Sequence, residues 1–160
     1  PEYQEYKSDA FSVMETPDYK VKVLIGRFGD ANSPIVDDIT NVSYFDVQLN
    51  TGKRFQHKLP VENNSFLYVF EGSGQLNGKD AQLNTLIVLG ATDNISDFIA
   101  GKRGARFLLI SGKPINESIV QYGPFVMNSK EEIDQAMSDY QSNNFVRDRA
   151  WVNRKKKAEV

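Results

Sequence analysis

From Tyr19 onward the chain alternates apolar and polar positions. In YKVKVLIGRF, Val21, Val23 and Ile25 fall on one face and Lys20 and Lys22 on the other, the period of two that marks a half-buried strand. NVSYFDVQL repeats the pattern with Phe45, Val47 and Leu49. KRFQHKL sets Phe55, His57 and Leu59 against Arg54, Gln56 and Lys58. SFLYVFEG differs, because Phe66, Tyr68 and Phe70 oppose Leu67 and Val69. A strand apolar on both faces lies at the centre of a fold or at an interface, and ARFLLISG reads the same way. LNTLIVL and ISDFIA add two more strands. Asn50-Thr51-Gly52 and the Lys-Arg-Gly run at 102–104 read as turns. Asn77-Gly78 is a hairpin signal, since a type I′ turn needs positive φ at both central residues. Eight or nine short strands at this spacing predict an all-β sandwich or barrel.

The period then changes. SKEEIDQAMSDYQ places Ile133, Ala136, Met137 and Tyr140 on one helical face. Ser129 and Glu132 have the spacing of a capping box, and acids in the first turn suit the helix dipole. The connector before it, IVQYGPFVMN, is unusually apolar. Gly123-Pro124 sets its bend, and Asn128 with Ile133 or Met127 with Ile133 is the pair expected to staple the helix start, the apolar pair being favoured if Asn128 is not the cap. The plain reading is a loop that fastens the helix to the β domain, with a ligand-binding loop as the alternative. Residues 1–18 read as an irregular N-terminal extension or linker, 19–145 as the β domain with its helix, and 146–160 as a basic tail.

Composition narrows the chemistry. A chain of 160 residues suits one domain. A formal net charge of −2 argues against nucleic acid as a partner. Residues 147–160 carry six Lys or Arg against two acids, but a run as short as Arg154–Lys157 is most often a solvated end. Without cysteine, thiolate catalysis and Cys-ligated metals are excluded. No run of about 18 apolar residues could span a membrane, and PEYQEYKSDAF lacks the features of a signal peptide. Cytoplasmic placement is the expectation, or nuclear in a eukaryote. The start without Met suggests a piece of a longer chain. His57 is the one histidine, so a multi-imidazole metal site is out of reach. It reads as a half-buried strand residue with a satisfied hydrogen bond, and a proton donor in a pocket is the less favoured alternative. Glu62 and Glu71 are weak candidates for acid chemistry, with no partner carboxylate at a defined spacing.

GKPINESIVQYGPFVMNSKEEI, within Ala105 to Phe145, resembles the pirin C-terminal signature, a run of the form GKPLxEPIVxYGPFVMNTxxEI. FLYVFEGSG and the opening PEYQE also resemble the second half of a pirin. Ser118 departs from the pattern, standing where the family usually has Pro. The resemblance implies a cupin fold, a jelly-roll β-barrel with a C-terminal α-helix. It further implies an N-terminal cupin that carries the metal on histidines and a glutamate. Some pirins are quercetin dioxygenases, and others are nuclear proteins that modulate transcription factors through a redox-sensitive metal. Both activities would reside in that other half.

Metal cupins carry H-x-H-x4-E before a YVxxG strand. Aligned on LYVFEG, the ligand positions fall on Lys58, Pro60 and Ser65. A protonated Lys repels a cation and Pro has nothing to donate. The expectation is therefore no cofactor in this chain, with Fe or another divalent metal only in the N-terminal half. No catalytic residue is assigned. The leading reading is a structural partner and protein-interaction module for an N-terminal cupin or another protein, with a homo-oligomer as an alternative. A second reading makes the chain part of a metal-dependent quercetin 2,3-dioxygenase. A third places a small apolar ligand in a pocket of Phe45, Phe55, His57 and Tyr68. The candidate partner surface is Tyr122, Phe125, Met127 and Trp151.

Overall fold

The computed structural model describes residues 2–90, 95–147 and 151–153, with the backbone alone at 2–3, 95–96 and 151–153. The basic run Arg154–Lys157 lies outside the described residues. The chain divides into two compact units, Lys7–Pro114 and a smaller one made of Pro1–Tyr6 with Ile115–Val160.

In the larger unit the strands are β2 (Val13–Glu15), β3 (Tyr19–Ile25), β4 (Arg27–Phe28), β5 (Ala31–Asn32), β6 (Ser43–Leu49), β7 (Arg54–His57), β8 (Asn64–Leu76), β9 (Lys79–Ala81), β10 (Thr85–Leu89) and β11 (Ile95–Gly112). The main sheet runs β10-β8-β11-β6-β3-β2, with β7 pairing β11 and β9 pairing β8. It is a jelly-roll sandwich rather than a closed barrel, because this ladder ends at β10 and β2.

Two long strands shape it. The segments expected as separate strands flanking a turn at 102–104 are one 18-residue strand, β11. Its first part pairs with β7 and with the end of β8. Its second part, from Ala105, pairs with β6 and with the start of β8. The register shifts between Ala100 and Ala105. There Gly104 has φ of 75° and Gly72 opposite has φ of 68°, so the strand bends without breaking.

The alternation read from the sequence sets the core. Val21, Val23, Phe45, Val47, Phe55, Leu67, Val69, Phe98, Phe107 and Leu109 are fully buried. Each contributes roughly 1.5–3 kcal/mol by leaving water. Asn77 (φ 50°) and Gly78 (φ 76°) make the expected turn between β8 and β9. β2 was not expected. It is three residues long, too short to show a period, and the Thr16-Pro17-Asp18 turn holds it to β3, with the Thr16 N–H donating to the Tyr19 carbonyl at 2.9 Å.

The smaller unit holds β1 (Glu2–Gln4), β12 (Val120–Tyr122), β13 (Phe125–Met127), α1 (Lys130–Gln141) and β14 (Trp151–Asn153). β1 and β14 pair in parallel. The apolar connector is a hairpin rather than an irregular loop. Tyr122 faces Phe125 across the two-residue turn Gly123-Pro124, with Gly123 at φ of 56°. Glycine first suits a tight II′-type turn. Ser129 caps α1 and the box with Glu132 is complete. Asn128 is therefore not the cap but the residue before it. It donates its backbone N–H to Glu132 Oε2 at 2.9 Å and its side chain to the Ser118 carbonyl at 2.9 Å.

Candidate functional site

The aligned positions Lys58, Pro60 and Ser65 follow β7 and begin β8. Strand alternation turns Phe55 and Leu59 fully inward and leaves His57 half-buried between them. Around His57 stand Phe28, Phe45 and Phe55, with ring centroids at 5.0, 5.4 and 6.4 Å. Phe55 in turn meets Tyr19 at 5.3 Å and Phe107 at 5.7 Å. These rings pack on one another, mostly edge to face, the arrangement favoured by aromatic quadrupoles.

Of the four residues expected to line a ligand pocket, the structure brings together Phe45, Phe55 and His57. Tyr68 is not with them. Ser65, Leu67 and Val69 are buried on β8, so Tyr68 between them faces out, where its hydroxyl donates to Asn84 Oδ1 at 3.2 Å. The pocket of four is not assembled, because positions of opposite parity on a strand cannot share a face.

The positions aligned with metal ligands do not fit a transition metal. Lys58 and Pro60 are exposed. Ser65 is buried and donates to Ser111 Oγ at 2.9 Å, and Asn63 Nδ2 donates to the same oxygen at 2.9 Å. Among the described residues no three His, Cys, Asp or Glu side chains gather in a way that could hold a metal ion. Glu71 is exposed and lies 3.9 Å from Arg106 Nη1, the geometry of a surface charge.

Burial pulls the His57 pKa below its ordinary 6.5. An unfolded chain takes up this proton as pH falls through about 6.5, and the folded chain resists it until lower pH. The folded state therefore keeps its full stability above 6.5 and loses part of it as pH falls below that value. His57→Phe is expected to flatten this acid-side loss. Urea unfolding midpoints measured at about pH 7.5 and about pH 5.5 check it: the wild-type midpoint should fall further than that of the variant.

Two features escaped sequence reasoning. Arg106 forms a two-pronged pair with Asp46 (Nε to Oδ1 2.8 Å, Nη2 to Oδ2 2.6 Å) and lies over the Phe70 ring at 5.2 Å. Bidentate geometry and stacking are what arginine does and lysine does not. Leu86 and Val88 on β10 stand exposed on the same outward face as Tyr68. The apolar double face of SFLYVFEG was the available signal.

In the smaller unit Phe125 packs on Tyr140 and Phe145 at 6.1 and 5.2 Å. Arg147 reaches back to Asp139 at 2.9 Å. Phe125 is thus engaged within its own unit, while Tyr122 is exposed. Met127 joins Ile115, Ile119 and Val126 along a cleft of about 350 Å³. Trp151 lies in β14, and its side chain is outside what the structure describes.

The Pirin C-terminal cupin domain family model matches residues 44–146. The chain is 36% identical over 159 residues to a pirin-like protein of Solanum lycopersicum, covering 96% of this chain and 54% of that protein. It is 31% identical over 160 residues to pirin of Homo sapiens, covering 96% and 55%. A Pseudomonas aeruginosa protein named "Putative quercetin 2,3-dioxygenase" is 41% identical over 128 residues, covering 76% and 44%. A crystal structure of quercetin 2,3-dioxygenase from Acinetobacter baumannii superposes with a TM-score of 0.74 at 24% identity, over 88% of this chain and 49% of that one, a likeness of fold. The chain spans about half the length of the curated relatives it matches. A family signature that ends in a capped helix, a jelly roll on the cupin plan and relatives across nearly the whole length lead to one assignment: the chain belongs to the pirin family, as its C-terminal cupin domain.

Proposed function

We propose that this chain is the non-catalytic, metal-free half of a two-cupin pirin, supporting by contact a metal-bearing N-terminal cupin. The observation that carries this reading is the aromatic cluster around His57, where Phe28, Phe45 and Phe55 pack on the chain's one imidazole while the aligned positions Lys58 and Pro60 are exposed. A lone imidazole pressed neutral by burial among rings offers one donor, and transition-metal sites need three or four. The relatives' additional half is the natural place for Fe or another divalent metal. The cytoplasm fits this reading, and among the described residues no helix is long and apolar enough to cross a membrane.

A second reading is favoured by the Pseudomonas aeruginosa relative and its name. The whole protein would be a quercetin 2,3-dioxygenase, with this domain completing its fold while the other half performs the chemistry. Quercetin turnover tests both. The 160-residue chain supplied with Fe(II) is expected to show none. Turnover by the longer protein carrying both halves would favour the dioxygenase reading. Turnover by this chain alone would overturn the non-catalytic assignment.

A further inference from the structure

The turn between β8 and β9 sets a reactive pair of residues in an open place. Asn77-Gly78 is the chain's one asparagine followed by glycine. The backbone nitrogen after an asparagine can attack the side-chain amide, and glycine puts no side chain in its way. Asn32, Asn64 and Asn128 precede serine, a small follower, but there the attacking nitrogen is engaged. The Ser33 N–H donates to the Gly26 carbonyl at 3.0 Å and the Ser129 N–H to Glu132 Oε2 at 2.9 Å. Ser65 lies within β8, between Leu89 and Ser111. Gly78 is exposed, and nothing stands within 4 Å of where its Cβ would be. Its N–H has no hydrogen bond among the described residues. The tip is also lightly held. β9 pairs with β8 over three residues, and of these only Ala81 is buried, so the tip opens without uncovering a core side chain of β9 until Ala81 parts. The Asn77 N–H reaches the Asp97 carbonyl at 3.3 Å, a long bond.

We propose that Asn77 is a site of self-modification, deamidating in the folded chain to aspartate and isoaspartate without an enzyme. The Gly78 nitrogen bonds to Asn77 Cγ. The side-chain NH2 leaves as ammonia, taking the proton that Gly78 gives up, and a cyclic succinimide remains. Water then opens the ring at either carbonyl. One opening leaves aspartate at 77, and the other leaves isoaspartate, whose backbone runs through the side-chain carbon. Nothing is oxidised or reduced. Both products add a negative charge to a chain of formal net charge −2. Isoaspartate also lengthens the backbone of a two-residue turn fixed by φ of 50° at Asn77 and 76° at Gly78. A turn of that type has no room for an extra backbone carbon. The pairing of Leu76 with Lys79 and of Gln75 with Asp80 is then lost, and the turn carries a record of the molecule's age.

Incubation of the folded 160-residue chain in mildly alkaline buffer, followed by peptide mass spectrometry, tests the proposal. Modification of Asn77 is expected to run severalfold ahead of that at Asn32, Asn64 and Asn128, with isoaspartate the larger product. Gly78→Ala weakens the turn yet should slow the reaction severalfold, because the added methyl crowds the attacking nitrogen. In the isoaspartate fraction, amide hydrogens at 79–81 should exchange severalfold faster than in the unmodified chain. An Asn77 that reacts no faster than the other asparagines while the chain is folded, and rapidly once urea unfolds it, would show that the hairpin shields the pair and would overturn the proposal. Equal rates in Gly78→Ala and the wild type would overturn it too, since the open approach at glycine would then count for nothing. Unchanged exchange at 79–81 would sink the loss of pairing.

Discussion

Replacing Gly72 with alanine is expected to unfold the larger unit under conditions where the wild type is stable. Gly72 has φ of +68°, and a Cβ there would stand 2.2 Å from the Gly104 carbonyl oxygen and 2.9 Å from its carbon. Both obstacles are backbone, so no side chain can swing away. Relief would require β8 and β11 to separate where they change register, and between them these two strands also pair with β6, β7, β9 and β10. Left-handed φ costs a non-glycine residue roughly 1–2 kcal/mol, and forced overpacking adds roughly 1–3 kcal/mol. A total near 3 kcal/mol or more is a large part of the roughly 5–15 kcal/mol that holds a domain together. Gly78→Ala is the comparison, since Gly78 has φ of +76° but no atom within 4 Å of the added carbon. Urea midpoints should show a loss of about 1 kcal/mol at Gly78 and several times that, or no folded protein, at Gly72. Equal losses would mean that φ, not the approach of the two strands, sets the requirement.

Phe55→Ala is expected to cost about 3–5 kcal/mol, the range for deleting a fully buried aromatic side chain. Phe55 has no exposed surface and joins Tyr19, Phe28, Phe107 and His57 in one ring cluster. Its removal opens a cavity walled by rings on strands β3, β4, β7 and β11, which cannot collapse together without breaking register. Phe55→Leu should lose much less. Thermal unfolding of the two variants checks the order, and equal Tm values would show that the cluster is looser than its geometry.

The fold was legible wherever a strand kept its period long enough. Phe45, Val47 and Leu49 were assigned to one face and are all buried, and Ser129 with Glu132 was readable as a cap because its chemistry is local. The turn assigned to 102–104 is not there, since glycine and lysine mark a bend in β11 as readily as its end, and only the pairing partners decide. β2 and the hairpin around Gly123-Pro124 were hidden by their three-residue strands. The candidate site divided by parity. His57, Phe45 and Phe55 are together because each points inward, and Tyr68 was misplaced because both faces of β8 are apolar, which leaves inward and outward indistinguishable in sequence. The Asp46–Arg106 pair was invisible because it joins residues 60 apart in sequence across a register that only the assembled sheet defines.

Metal content after purification bears most directly on the idea that aromatic rings have replaced metal ligands here. The 160-residue chain, dialysed with Fe(II), Ni(II) or Zn(II) and then freed of loosely held ions, should retain no stoichiometric metal by elemental analysis. Retention of one ion per chain, lost on His57→Phe, would contradict it.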